Sequence, residues 1–139
     1  MTSDQLDEQV VLRLLEVARG ARLRAHAPYS SYRVGAAVLC EDGHIYGGCN
    51  VENASFGLTI CAERVALFGS KAAGAGTPKM LAVVTEDGGS PCGACRQVMV
   101  EFNAQMPVII AAADGEEYRV TSAGNLLPDS FELKPRDQK

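Results

Sequence analysis

The sequence contains no apolar run of the roughly 20 residues that a membrane-spanning helix needs. Its first residues do not form a basic segment followed by an apolar one, so we expect no secretory signal. The cysteines number five, and an odd number argues against a closed framework of disulfides and for a reducing compartment. These absences predict a cytoplasmic protein with no membrane partner.

An excess of positive charge is also missing, because 17 acidic residues stand against 13 basic ones and the net charge is −4. Proteins that bind long nucleic acids usually carry a basic face that meets the phosphates. Arg19, Arg22 and Arg24 lie near the end of the first predicted helix, where arginines interact favourably with the helix dipole. The charge balance therefore favours a small, uncharged or weakly charged substrate and argues against a nucleic-acid partner.

The chain has enough apolar residues for one core. Hydrophobic residues make up 47% of the 139 positions and charged residues 22%, which is typical of globular proteins. A chain of this length can bury a core without disulfides. No internal repeat or linker divides it, so we expect a single domain over residues 1–139.

The spacing of apolar residues predicts secondary structure in the order α-β-β-α-β-α-β-β-α. The predicted helices cover residues 6–25, 61–73, 92–102 and a short piece at 125–127, and the predicted strands cover 32–40, 45–50, 80–85, 107–112 and 117–121. Asp42-Gly43 indicates a tight hairpin turn, and Ser90-Pro91 indicates the N-cap and first position of the third helix. This order implies a three-layer α/β/α fold with a mixed five-stranded sheet.

Three cysteines lie on two short segments at predicted helix starts. The first segment is Cys61-Ala62-Glu63-Arg64, and the second contains Cys92 and Cys95 directly after a proline. A helix N-terminus stabilises thiolates, and three protein ligands leave a tetrahedral zinc with one open position, as catalytic zinc sites have. Glu63 is a carboxylate placed to move protons beside a metal-activated water. The combination is the established signature of zinc deaminases.

Other interpretations of the cysteines exist. An isolated Cys-x-x-Cys pair could form a redox couple, half of a structural zinc site or two buried thiols. A structural zinc in a non-enzymatic module needs a fourth protein ligand and would make Glu63 incidental. Cys40 and Cys49 could supply that ligand, but they flank the predicted hairpin, and we expect both to be half-buried residues without a metal role.

Taken together, the motifs resemble those of the short, homotetrameric, zinc-dependent cytidine deaminases. The segment Asn50-Val51-Glu52-Asn53-Ala54 adds to the two cysteine segments, and the similarity extends over residues 27–128. The resemblance implies the cytidine-deaminase-like fold and one zinc per subunit, held by Cys61, Cys92 and Cys95. It also implies hydrolysis of cytidine and 2′-deoxycytidine in pyrimidine salvage, by a homotetramer whose active sites are shared between subunits.

The resemblance further implies roles for individual residues. Glu63 carries protons between water, the ring nitrogen N3 and the departing ammonia. Arg64 matches the arginine that hydrogen-bonds the ligand sulfurs. Asn50 and Glu52 match the pair that binds the ribose, chiefly its 3′-hydroxyl, and the backbone N–H of Ala62 meets the pyrimidine O2.

Three aromatic residues are further candidates for substrate contacts, with core packing as the alternative for each. Tyr32 occupies the place where many relatives have a phenylalanine against the base, and its hydroxyl needs a partner if it is buried. Phe56 stands where relatives often have tyrosine. Phe131 resembles the C-terminal aromatic residue that reaches a neighbouring subunit's site.

Two rival substrates share the same chemistry. A deaminase of a modified cytosine nucleoside such as blasticidin S is the nearer one, and the Asn50–Glu52 pair favours ordinary cytidine over it. A nucleic-acid editing deaminase is the other, and the acidic charge balance weighs against it.

Overall fold

A mixed sheet of five strands forms the middle layer of the computed structural model, which describes residues 6–136. In chain order the elements are α1 (Glu8–Arg22), β1 (Gly35–Cys40), β2 (Ile45–Cys49), a 3₁₀ turn (Phe56–Leu58), α2 (Ala62–Ala72), β3 (Pro78–Thr85), α3 (Gly93–Asn103), β4 (Pro107–Ala112), β5 (Tyr118–Ser122) and α4 (Ala123–Leu126). The predicted order of helices and strands is confirmed. Within the described range, no helix combines the length and the apolar character needed to cross a membrane.

The strands lie in the order β2-β1-β3-β4-β5, so β3 is central. The β3–β4 pair is parallel, and the other three pairs are antiparallel. The tight turn predicted at Asp42-Gly43 joins β1 to β2, and Gly43 has a φ of 84°, a conformation that glycine adopts without strain. All residues of β3 except Lys79 are buried, as expected for a continuously apolar strand covered on both faces.

Helices cover the two faces of the sheet and create two cores. On one face α1 packs its buried residues Leu14 and Leu15 against Ala82 and Ile109. On the other face α2 and α3 pack against the alternate side chains of the same strands, Leu81 among them. The predicted three-layer α/β/α arrangement is therefore confirmed.

The start of α3 corrects one prediction. Ser90 is not the N-cap, and Pro91 is not the first helical residue. The N-cap is Cys92, which has an extended backbone, and the first helical hydrogen bond runs from the Arg96 N–H to the Cys92 carbonyl at 3.0 Å. The Pro91 carbonyl instead accepts a hydrogen bond from Nε of Arg96 at 2.7 Å. The N-cap therefore lies two residues later than predicted, and the metal-ligand candidate Cys92 itself occupies it.

Gly48 on β2 allows α2 to lie directly against the sheet. A Cβ atom at this position would meet the Ala66 nitrogen at 2.6 Å and the Ala62 oxygen at 2.7 Å, both of them backbone atoms. We therefore expect Gly48→Ala to lower the free energy of unfolding by about 1–3 kcal/mol, because overpacking forces the helix away from the sheet. Urea denaturation measures this change.

Gly20 provides the matched control for Gly48. It lies within α1, and a Cβ atom built there has no neighbour within 4 Å. Gly20→Ala should therefore raise the stability by about 0.5–1 kcal/mol, since alanine is the better helix former. Equal destabilisation by the two substitutions would contradict the close approach of α2.

Candidate active site and metal centre

The three cysteines meet where α2 and α3 begin. Cys61 and Cys92 are the N-caps of the two helices, and Cys95 lies in the first turn of α3. The Sγ atoms of Cys61 and Cys92 are 3.8 Å apart, those of Cys92 and Cys95 are 3.5 Å apart, and all three lie within 4.8 Å of one another. Ligands at about 2.3 Å in a tetrahedron place sulfurs about 3.8 Å apart, so the cluster fits zinc.

The other two cysteines do not join this cluster. Within residues 6–136 it is the one group of three or more metal-ligating residues, and it contains neither Cys40 nor Cys49. Cys40 is buried in the core beneath α2, and the Cys49 thiol lies 3.6 Å from the Arg24 carbonyl. The expectation that both lack a metal role agrees with this geometry. A cluster of three cysteines fits a catalytic zinc site, which keeps one coordination position open, better than a structural site with four protein ligands.

The surroundings of Cys61 favour the thiolate that a metal requires. Cys61 and Cys92 are both N-caps, so each sulfur lies at the positive end of a helix dipole, which favours a thiolate. The neighbouring Cys95 thiol, and then the Arg64 guanidinium, lower the pKa of Cys61 to about 5. Nη2 of Arg64 donates to the Cys61 sulfur at 3.5 Å. This cation offsets the negative charge that three thiolates add to the site.

Arg96, which belongs to the same helix as Cys92 and Cys95, has a different position. Its Nη1 donates to the Leu126 carbonyl at 2.9 Å, while its Nε holds the loop before α3. It therefore joins α3 to the last residue of α4, whereas Arg64 is the arginine that donates to a cysteine sulfur.

Glu63 is the buried acid of the site. Its side chain is 4% exposed, in the first turn of α2, and it lines the same cavity as Cys61 and Cys92. Burial raises the pKa of the Glu63 carboxyl to about 7, and the charge of Cys61 adds to the rise. A carboxyl group with this pKa can both accept and release a proton near neutral pH.

The cavity beside the cysteines has a volume of about 290 Å³. Its wall contains six of the predicted site residues, namely Tyr32, Asn50, Glu52, Cys61, Glu63 and Cys92. A second cavity of about 390 Å³ shares Ser30, Glu52 and Thr59 with the first and adds Tyr29 and Phe56. The two therefore form one continuous depression, with the cysteine cluster at one end and the aromatic rings of Tyr29 and Phe56 at the other.

Asn50 is 8% exposed and joins the cavity wall to the end of β2. Its Oδ1 accepts from the Val34 N–H at 2.9 Å, and its Nδ2 donates to the Tyr32 carbonyl at 2.8 Å. An amide side chain has two donors and two acceptor sites, so one of each stays free for a ligand. Asn50 therefore serves the backbone of residues 32–34 and can still bind a hydroxyl.

Glu52 is held in place from the loop after α1. The backbone N–H groups of Tyr29 and Ser30 donate to its Oε1 at 2.9 and 3.3 Å, and the Ser30 hydroxyl donates to its Oε2. The Ser30 hydrogen bond, followed by these backbone donors, lowers the pKa of Glu52. The cavity therefore contains a fixed, ionised acceptor beside Asn50.

The three predicted aromatic residues occupy different places. Tyr32 lines the cavity, and its hydroxyl donates to Oδ1 of Asp87 at 2.7 Å. Phe56 is 76% exposed and meets the Tyr29 ring edge-on, with centroids 6.2 Å apart. Phe131 is 69% exposed and lies away from this cavity, beside Gln97, which donates to its carbonyl. Core packing within one chain therefore explains neither phenylalanine.

Sequence reasoning missed several polar residues of the site. Ser30, Thr59, Thr85 and Ser90 all line the cavity, and Ser30 anchors Glu52. Short polar residues in loops have no periodicity, and the one available signal was that Ser30 falls inside the first segment of the family resemblance. Ala62 is the first residue of α2, where its N–H has no helical acceptor.

Comparisons with known proteins find relatives along most of the chain. The family model described as the cytidine and deoxycytidylate deaminase zinc-binding region matches residues 8–111, a range that includes all three clustered cysteines. A cytidine deaminase of Sporosarcina psychrophila is 47% identical over 124 residues, covering 87% of this chain and 90% of that protein. One from Mycobacterium tuberculosis is 41% identical over 128 residues, covering 88% and 91%.

Solved structures agree with these similarities. The crystal structure of cytidine deaminase from Burkholderia pseudomallei has a TM-score of 0.82 to this chain at 48% identity, covering 94% of this chain and all of that one. The crystal structure of cytidine deaminase from Mycobacterium tuberculosis has a TM-score of 0.77 at 39% identity, covering 93% and 100%.

Proposed function

This chain belongs to the cytidine and deoxycytidylate deaminase family, and from that premise we propose that it converts cytidine and 2′-deoxycytidine to uridine and 2′-deoxyuridine with release of ammonia. The reaction serves pyrimidine salvage, within a single deaminase domain over residues 1–139. A cytoplasmic location is part of the proposal, because the cysteines of the site must stay reduced and all five cysteines are unpaired. The similarities do not favour a deaminase of modified cytosine nucleosides.

The observation that supports this function is the shared wall of one cavity. Two of the three cysteines that fit zinc, a buried carboxyl group with a pKa near neutrality and the Asn50–Glu52 pair all line the same cavity of about 290 Å³. A zinc module without catalysis has no use for a buried, partly protonated Glu63, since burying a carboxyl group lowers stability.

Each proposed step uses residues of this chain. Cys61, Cys92 and Cys95 would hold the zinc, which would supply Lewis-acid activation of a water molecule. Glu63 takes a proton from this water and delivers it to N3 of the ring, which makes C4 electrophilic. The water oxygen adds to C4, and Glu63 then takes the second proton from that oxygen and passes it to the amino group, so that the C4–N bond breaks to give the C4 carbonyl and ammonia. Water and cytidine are consumed, and uridine and ammonia are produced.

Substrate position depends on three further contacts in the proposal. The Ala62 N–H, free at the helix start, donates to the pyrimidine O2. The remaining amide N–H of Asn50 donates to the 3′-hydroxyl of the sugar, and the ionised Glu52 accepts the hydrogen bond that this hydroxyl donates. These contacts do not require a 2′-hydroxyl, which is why both ribose and deoxyribose substrates are included.

The decrease in ultraviolet absorbance as cytidine becomes uridine tests the proposed function directly. Zinc-loaded protein should deaminate cytidine and 2′-deoxycytidine, and it should not act on cytosine within an oligonucleotide. Deamination of blasticidin S but not of cytidine would overturn the proposal in favour of the modified nucleoside.

We further propose that the chain functions as a homotetramer in which neighbouring subunits complete the sites. Apolar side chains remain exposed at three separate places on the chain, namely Phe56 beside the cavity, Phe68 on α2 and Phe131 near the C-terminus. On α2, Ala66 and Leu67 pack on the sheet, whereas Phe68 stays 46% exposed on the outer side. An uncovered apolar helix face of this kind is typical of subunit interfaces.

Phe131→Ala tests the shared site. We expect KM for cytidine to rise about tenfold while the zinc content stays at one per chain, because a residue that reaches a neighbouring site binds substrate but not metal. Leu23→Ala is the control, since Leu23 is 68% exposed at the end of α1 and should leave KM unchanged. A fully active monomer in sedimentation at assay concentration would refute the shared site.

A further inference from the structure

The hydroxyl of Tyr32 closes a small network on the cavity wall. It donates to Oδ1 of Asp87 at 2.7 Å, and the same oxygen receives the Gly89 N–H at 3.2 Å and the Thr85 hydroxyl at 3.3 Å. The Gly89 N–H also reaches the Thr85 hydroxyl at 2.8 Å. Three donors therefore converge on one carboxylate oxygen, and the Tyr32 hydrogen bond is the main cause that lowers the pKa of Asp87.

This network joins two parts of the chain that are distant in sequence. Tyr32 precedes β1, whereas Asp87 belongs to the loop 86–90 that connects β3 to the cysteine segment of α3. Gly89 lies close to this hydroxyl, since a Cβ atom built on it would be 3.3 Å from the Tyr32 oxygen and would press on the network. Arg119 holds the same loop from β5, with Nη2 donating to the Ser90 hydroxyl at 2.7 Å. The loop is thus tied on two sides.

The tied residues form part of the wall that faces the catalytic groups. Tyr32, Thr85 and Gly89 line the same cavity as Glu63 and Cys92. Without the Asp87 hydrogen bond, the Tyr32 ring could leave its position on the wall, and a ligand would then have to order the ring on binding. The hydrogen bond removes that cost before the ligand arrives.

We propose that the Tyr32–Asp87 hydrogen bond is a positioning pair that preorganises the cavity wall for the pyrimidine nucleoside. The inference rests on the proposed function for its ligand. It assigns to Tyr32 a role beyond that of an aromatic surface, one that a phenylalanine at this position cannot fill, and it makes Asp87 a specificity partner located outside the metal cluster.

Tyr32→Phe keeps the ring and removes the hydroxyl. We expect KM for cytidine and the dissociation constant for uridine, measured by calorimetry, to rise about three- to tenfold, with kcat within twofold and zinc content unchanged. Asp87→Ala should have the same effect, Asp87→Asn a smaller one because it retains Oδ1, and the double variant Tyr32→Phe/Asp87→Ala should be no worse than either single variant.

Tyr46→Phe is the matched control. The Tyr46 hydroxyl donates to Oδ2 of Asp42 at 2.6 Å, the same type of hydrogen bond, at the β1–β2 turn. Its loss should leave KM and uridine binding unchanged. Unchanged KM and uridine binding in Tyr32→Phe, additive effects in the double variant, or an equal change in Tyr46→Phe would each overturn the pair. Parent protein that neither deaminates cytidine nor binds uridine would instead refute the proposed function.

Discussion

Glu63→Gln should abolish turnover while the protein keeps its zinc and its fold. The amide cannot accept the proton of the attacking water and cannot protonate N3 or the leaving group, so two proton transfers are lost together. We expect kcat for cytidine to fall by at least about 10⁴-fold, the upper end of the range for one general acid–base group. Steady-state kinetics and metal analysis of the same preparation measure both properties.

The stability of this variant provides an internal check. Burial already raises the pKa of Glu63 to about 7, so the ionised carboxylate is unfavourable in the fold. A neutral amide of the same shape should therefore leave Tm unchanged or raise it. Glu8→Gln is the matched control, since Glu8 also lies in the first turn of its helix but is exposed on α1. Activity of Glu63→Gln within tenfold of the parent would contradict the assigned mechanism.

Cys92→Ala should remove the metal. The Cys92 sulfur lies 3.8 Å from that of Cys61 and 3.5 Å from that of Cys95, and its loss leaves two protein ligands where a catalytic zinc site has three. We expect the zinc content to fall from one per chain to below about one tenth after dialysis, with no detectable activity. Because the Cys92 side chain is exposed, the substitution creates no buried cavity. Any decrease in the free energy of unfolding would therefore result from the loss of the metal.

Cys49→Ala and Cys40→Ala are the controls for metal loss. Cys49 is partly exposed, as Cys61 is, and Cys40 is buried, as Cys95 is, so the controls match two of the three ligand cysteines in burial. Each control should retain one zinc per chain, although Cys40→Ala lowers stability slightly because it opens space in the core. Loss of zinc in either control would favour a four-cysteine structural site over the three-ligand catalytic one.

Local sequence patterns were sufficient to predict the order of helices and strands and the cysteine cluster. They failed to predict the start of a strand where a side chain, and not a neighbouring strand, hydrogen-bonds the backbone. The first strand was predicted from residue 32, but β1 begins at Gly35. The reason is Asn50, whose amide takes the Val34 N–H and the Tyr32 carbonyl that a neighbouring strand would otherwise pair. These two hydrogen bonds join residues that are 16 and 18 positions apart in the chain, and such contacts produce no periodic pattern in the sequence.

The candidate site was predictable to a similar degree. The cysteine spacing and Glu63 identify chemistry directly, because few other arrangements need those residue types at helix starts. Asp87 was not predictable, since its partner Tyr32 is 55 positions away and the two meet through a glycine-containing loop. Residue types that perform chemistry are visible in a sequence, whereas the hydrogen bonds that hold them depend on loop paths.

The position of β3 between the two cysteine segments sets the order of folding events. Cys61 and Cys92 are 31 positions apart, and they meet only after α2 and α3 have docked on the same face of the sheet. Before that stage, a nascent chain offers zinc no more than the local Cys92–Cys95 pair. Closing the long loop and forming the parallel β3–β4 pair are slow, non-local steps. Metal acquisition is therefore a late event, and tight zinc binding marks a chain whose central sheet is complete.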